Sequence, residues 1–202
     1  MKNRLAEKRI LTLFLVVLFF SGYYGIGLWA EGLGRFYTVG LPWEEHIPFV
    51  APAILGYCVV FLSLAGVYLV VPEGSDYRRV AGLYAVMMLF HYIIFVVYPV
   101  KMIWRPEITD PHGFFGWFSW LYFKIDRPYN CFPSLHVAEA TLALCVTWKY
   151  RRLRWLFIAA AILTPISVVL VKQHYILDAV AGAFAAWGFY RISWRLRDIL
   201  PF

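Results

Sequence analysis

Six apolar stretches, each close to the ~20 residues a helix needs to cross a bilayer, fill most of this chain of 202 residues. They cover residues 10–30, 47–71, 80–100, 133–148, 153–171 and 175–190. A water-soluble core of this size cannot hide so many. With 62% hydrophobic and only 15% charged residues, the expected fold is all-α: a polytopic membrane protein with six transmembrane helices. No repeat or linker divides it, so residues 1–202 read as a single transmembrane domain. The fourth and sixth runs are short and open on polar residues, which predicts helices that begin in the interface. The first run follows a basic leader but is too long for a signal peptide and reads as an uncleaved span.

The net charge of +7 does not point to nucleic acid, because the basic residues gather at the ends of apolar runs. Lys2, Arg4, Lys8 and Arg9 precede the first run, and Arg78 and Arg79 separate the second and third. Lys149, Arg151, Arg152 and Arg154 lie between the fourth and fifth, while Arg191, Arg195 and Arg197 end the sixth. These thirteen of the 19 basic residues fall on one side, which the positive-inside rule makes cytoplasmic, with both termini. A bacterial inner membrane fits that layout. Cys58, Cys131 and Cys145 form no even disulfide framework.

The opposite side is aromatic. Residues 31–46 carry Phe36, Tyr37 and Trp43, as a loop or short helix. In residues 111–126, Phe114, Trp117, Phe118, Leu121 and Tyr122 follow the i, i+3, i+4 spacing of an amphipathic helix. That helix is expected to lie at the membrane surface between the third and fourth spans, against membrane lipids.

Three polar clusters converge on this aromatic side. Lys101 and Arg105-Pro106 follow the third run, and Asn130-Cys131-Phe132-Pro133-Ser134-Leu135-His136 opens the fourth. Lys172 and His174, with Asp178, lie at the junction of the fifth and sixth. Ionisable groups at membrane depth cost on the order of 2.5–3.5 kcal/mol each and default to function. His174 and Asp178, four residues apart, share a helix face, where a carboxylate can fix an imidazole tautomer. A polar bridge between helices is the plainer alternative. Arg105 can grip a phosphoryl group through paired hydrogen bonds, and Lys101 and Lys172 add point charges. Pro133 suits a first helical position, which would leave the Ser134 and Leu135 amides free as an anion site. Two histidines on different helices, His136 and His174, could then divide attack and protonation. Glu139, one turn beyond His136, is a candidate support residue or an interhelical hydrogen-bonding group. His91 reads as structural, and Asp126, Arg127 and Asn130 as residues shaping the loop into the fourth span. A cysteine-phosphatase reading of Cys131 fails, since it needs an arginine where Val137 stands. A metal on His136, His174 and Asp178 is disfavoured by the surrounding cations.

Taken together, these clusters resemble the motifs of the type 2 phosphatidic acid phosphatase superfamily: Lys…Arg-Pro, Pro-Ser-x-His and His-x-x-x-Asp preceded by a basic residue. The spellings Phe-Pro-Ser-Leu-His and Lys-Gln-His-Tyr-x-x-Asp look closest to its inositol phosphorylceramide synthase-like branch. The resemblance implies a metal-independent enzyme without cofactor, acting on a lipid phosphate. His174 would form a phosphohistidine, oriented by Asp178. His136 would protonate the leaving alkoxide and later activate water. Lys101, Arg105, Ser134 and Lys172 would hold phosphate oxygens. Two spacings differ from the family's: three residues, not six, separate Lys101 from Arg105-Pro106, and Val168 stands where an arginine usually precedes the histidine. Lys172 is expected to supply that charge. A phosphatase, a lipid phosphotransferase and a lipid or anion transporter are the three functions this pattern admits.

Overall fold

A computed structural model describes residues 2–197; Met1 and residues 198–202 of the expected single domain lie outside the described residues. Seven α-helices carry the fold: α1 (Lys2–Gly32), α2 (Ile54–Val70), α3 (Ser75–Val97), α4 (Gly113–Ile125), α5 (Leu135–Thr147), α6 (Arg154–Leu170) and α7 (Ile176–Arg197). Short 3₁₀ turns occupy Pro42–His46 and Ala51–Ala53. Among the described residues there is no strand, only an isolated bridge between Tyr37 and Val100.

Among the described residues three helices are long and apolar enough to cross a membrane, Asn3–Gly32, Ala51–Val70 and Ser75–Val97. Leu135–Thr147 and Arg154–Leu170 are shorter apolar helices, about 20 and 25 Å long at 1.5 Å per residue. The boundaries shift from expectation for local reasons. The basic leader joins α1 instead of preceding it. Pro48 and Pro52 lack the N–H groups a helix needs, so the second helix starts at Ile54, not at residue 47. Pro99 disfavours helical backbone at Tyr98, and α3 stops at Val97.

Large apolar residues cover much of the outer surface, and several polar ones are buried. Ile10 is 66% exposed, Val97 75% and Phe184 68%, whereas Ser63, His91, Asp126, His136 and Thr164 are buried among the apolar core. So apolar an exterior suits a hydrocarbon surround. The expected amphipathic helix exists as α4, with a different face inward. Phe115, Phe118 and Tyr122 pack against the core around Ile54, Tyr57 and Val168, while Phe114 and Trp117 point outward.

α5 is the central element, its flanks covered by α2, α6, α7 and α3. One end of the bundle gathers the basic loops: Lys149 meets Asp76 at 2.9 Å, Arg78 meets Glu7 at 3.1 Å, and Lys8 Nζ donates to the Val71 carbonyl at 2.8 Å. The other end gathers the three polar clusters, knitted by backbone hydrogen bonds. Lys101 N–H donates to the Tyr37 carbonyl (3.0 Å), Cys131 N–H to Val100 (3.2 Å) and Ser134 N–H to Asp178 (2.9 Å).

The last bond needs α5 and α7 to approach at backbone distance. Gly182 permits it: a Cβ there would stand 2.3 Å from the Ser134 carbonyl oxygen. Gly182→Ala should therefore force the helices apart at a cost of about 1–3 kcal/mol. A fall in the thermal unfolding midpoint of the detergent-solubilised protein, with reduced activity, is the expected result.

Candidate active site

The two motif histidines meet. Their ring centroids lie 5.8 Å apart, His136 in the first turn of α5 and His174 in the loop before α7. Both are buried.

Each ring is held on one nitrogen and unpartnered on the other. His174 Nδ1 lies 2.9 Å from the Cys131 carbonyl and 3.4 Å from Asp178 Oδ2. A carbonyl can only accept, so Nδ1 carries the hydrogen and Nε2 presents a lone pair. Nε2 has no partner. Asp178 is itself fixed, Oδ2 accepting from the Tyr175 N–H at 2.8 Å. Orientation of His174 is thus shared: the nearer partner is a backbone carbonyl that sequence reasoning had no means to place.

His136 is tethered differently. Its Nε2 lies 2.7 Å from the Tyr57 hydroxyl, which donates to Asp126 Oδ2 at 2.8 Å. Asp126 Oδ1 accepts from the Tyr23 hydroxyl at 3.0 Å. With the Tyr57 proton given to the carboxylate, Nε2–H donates to the Tyr57 oxygen, and His136 Nδ1 is the unpartnered nitrogen. Phe19, Tyr23 and Phe61 stand edge-on around the imidazole. Asp126, Tyr57 and Tyr23 were not expected in the site. Asp126 offered a signal, an acid closing an apolar helix just before the Pro-Ser-x-His loop. Tyr57 and Tyr23 lie in apolar runs and offered none.

Arg105, in the loop after α3, lies within the field of Asp126 and Cys131. Its guanidinium stacks 3.7 Å from the Phe123 ring centroid, and both terminal nitrogens are buried without a partner. Burial pulls its pKa below the ordinary value, against the field of the Asp126 carboxylate. A cation so placed favours an anionic ligand. Lys101 shares with Arg105 a cavity of about 400 Å³ and lies over the Phe36 and Tyr129 rings. Its carbonyl accepts from the Tyr175 hydroxyl at 2.9 Å.

Lys172 and the helix N-terminus differ from expectation. Lys172 Nζ donates to the carbonyls of Glu44 (2.9 Å) and Glu45 (3.4 Å), so its charge is engaged by the Pro42–His46 turn. Glu44, buried, also accepts from the Ile176 N–H at 2.9 Å, capping α7 where a negative charge suits the helix dipole. α5 begins at Leu135, not at the expected Pro133, and Ser134 caps it, the hydroxyl oxygen accepting from the Val137 N–H at 3.4 Å. Its own N–H goes to Asp178, so the expected free amide at Ser134 is corrected. Leu135 and His136 hold the first-turn amides that no residue within the helix can satisfy. Asn130 adopts a left-handed backbone (φ 61°), which Asn tolerates, and donates to the Tyr23 carbonyl at 2.7 Å. Glu139 is buried with Oε2 unpartnered. His91 bonds the carbonyl one turn back, Met87, at 2.8 Å.

Cys131, His174 and Asp178 offer ligand atoms within 4.8 Å of one another, the one such trio among the described residues. Burial pushes the Cys131 thiol well above its usual range, which makes it a poor thiolate ligand.

Two buried imidazoles 5.8 Å apart, each with one unpartnered nitrogen, and a buried guanidinium without a partner are the groups a phosphoryl-transfer site would need. The sequence profile of the PAP2 superfamily matches residues 38–192, and the chain belongs to that superfamily, whose members are phosphoesterases and phosphotransferases. No curated protein and no solved structure matches the chain. The matched stretch contains Tyr57, Arg105, Asp126, both histidines and Asp178, and stops short of Tyr23.

Tyr57→Phe keeps the ring and removes the link to Asp126. The expected loss is at least about tenfold in kcat, within the ~10²–10⁴ that acid–base catalysis supplies, and the pH–rate profile should move with it. Unaltered kcat and profile would assign Tyr57 a packing role only.

Proposed function

We propose that the protein is an integral-membrane lipid phosphate phosphatase working through a phosphohistidine on His174. The observation that carries this reading is the pair of unpartnered nitrogens, His174 Nε2 and His136 Nδ1, on rings 5.8 Å apart. One phosphoryl group can meet both. With His136 entering as the imidazolium, His174 Nε2 attacks phosphorus as the bond to the alkoxide oxygen breaks, and the alkoxide takes the proton from His136 Nδ1. His136 then removes a proton from water, whose oxygen attacks phosphorus and displaces His174. Arg105, with Lys101 nearby, offsets the charge on the phosphoryl oxygens, the expected source of most of the acceleration. The Asp126–Tyr57 link steadies His136 while it carries both protons. No step requires a metal.

The lipid substrate follows from the membrane setting. On this reading α1, α2, α3, α5, α6 and α7 are the six spans, both termini are cytoplasmic, and the histidines face the periplasm of a bacterial inner membrane, with α4 on that surface. The positive-inside pattern and the outward apolar faces support this arrangement. A second reading, transfer of the phosphoryl headgroup to an alcohol instead of water, is favoured by the Phe-Pro-Ser-Leu-His and Lys-Gln-His-Tyr spellings. Incubation with labelled phospholipid and candidate alcohols separates the two, a new lipid product marking transfer.

His174→Ala should reduce phosphate release from lipid phosphates to background in the purified, folded protein. Retained turnover would overturn the assignment of nucleophile. Vanadate, a mimic of the five-coordinate transition state, should inhibit the wild type. Insensitivity combined with lipid flux in liposomes would favour a transporter.

A further inference from the structure

α1 leans on α3, and α2 leans on α6 and α5, which leaves α1 and α2 standing apart. The gap is a cavity of about 500 Å³, apolar over almost all its wall. It extends from Thr12 to Phe20 on α1 and from Phe61 to Leu69 on α2, about 12 Å along each helix at 1.5 Å per residue. Its upper end is formed by Phe19 and Phe61, whose rings stand edge-on to His136 with centroids 6.4 and 6.2 Å away. Its lower end is closed by Tyr77, whose hydroxyl is bonded to Thr12 at 2.6 Å. Val16 and Phe20 on one side and Leu69 on the other are exposed, so the cavity opens sideways toward lipid.

One carboxyl group stands in this largely apolar wall. Glu139 lines the cavity and is 2% exposed. Of the buried polar side-chain atoms without a partner among the described residues, its Oε2 is the one on a residue of this wall. An acid left unpaired in such surroundings is costly and calls for a ligand that pairs it. Its position sets where that pairing falls. Glu139 follows His136 by three residues, on the same side of α5 and about 4.5 Å deeper. From a phosphate ester oxygen at His136, that depth is about three bonds of ~1.5 Å to the donor atom, or about four where the chain zigzags.

Building on the phosphatase reading, we infer that the cavity takes one hydrocarbon chain of the substrate and that Glu139 accepts a hydrogen bond from it. The donor is a hydroxyl or N–H on the second or third carbon from the phosphate. The substrate class is therefore long-chain hydroxyalkyl or amino-alcohol phosphates, in preference to plain alkyl or polyisoprenyl phosphates, which leave Glu139 unpaired. A second chain, where the lipid has one, stays in the bilayer outside the opening.

The test uses the full chain in nanodiscs with two lipids of equal length, hexadecyl phosphate and 2-hydroxyhexadecyl phosphate. Wild type should favour the hydroxylated lipid in kcat/KM by at least about tenfold, the scale of one satisfied buried hydrogen bond. Glu139→Leu should bring the ratio of the two lipids close to one, and Glu139→Gln, which keeps an acceptor, should retain most of it. A wild-type ratio near one overturns the inference, as does a preference that survives in Glu139→Leu; phosphate release from both lipids would leave the phosphatase reading standing. If neither lipid releases phosphate, the phosphatase reading fails, and the matched non-hydrolysable phosphonates then decide the cavity by binding alone. At least tenfold tighter binding of the hydroxylated phosphonate supports the inference, and equal binding of the two overturns it.

Discussion

Hydrocarbon cannot offer a hydrogen bond, so a polar atom inside this bundle must find its partner in the chain. The bond from the Ser134 N–H to the Asp178 carbonyl shows how far the fold goes to meet that demand. It joins the start of α5 to the first turn of α7 and brings His136 and His174 together. Gly182 supplies the clearance, and the cap from Glu44 to Ile176 fixes the beginning of α7. Lys172, in a left-handed conformation with φ 54°, ties the same junction to the Pro42–His46 turn. The buried side-chain atoms left without a partner include one nitrogen on each motif imidazole, the terminal nitrogens of Arg105, Asp178 Oδ1 and one oxygen of Glu139.

The two histidines are held in different ways. His174 is held by acceptors alone, a carbonyl and a carboxylate, which fixes its hydrogen on Nδ1 and leaves Nε2 as a constant lone pair. His136 sits at the end of a chain of exchangeable protons through Tyr57 to Asp126. A nucleophile benefits from the first arrangement, and a group that gains and loses a proton in each cycle benefits from the second.

Much of this was legible in the amino-acid sequence because hydrophobic runs and short motifs are local signals. All-helical architecture, the helix at residues 113–125 and the meeting of the motif loops follow from such signals. What escaped detection depends on contacts between distant residues. Tyr57 and Tyr23 look like ordinary members of apolar runs, and only the approach of α1 and α2 to Asp126 gives them a function. Lys172 illustrates the opposite error. Two residues from a motif histidine, it read as a phosphate ligand, whereas the fold turns its ammonium to carbonyls 127 and 128 residues away in sequence. Ser134 differs for a similar reason, since nothing near it in sequence announces that Asp178 will take its amide. Helix ends moved wherever proline overruled hydrophobicity.

α1 lies outside the stretch that matches the superfamily, residues 38–192, yet it reaches the site through the Tyr23 hydroxyl and carbonyl. The face of α1 from Thr12 to Phe20 forms one side of the large cavity without touching Arg105, Asp178 or His174. One helix beyond the matched stretch thus carries two contacts of different kind, a wall of the cavity from Thr12 to Phe20 and the hydrogen bond from Tyr23 to Asp126. Substitutions on the first can reshape the cavity while the second stays in place.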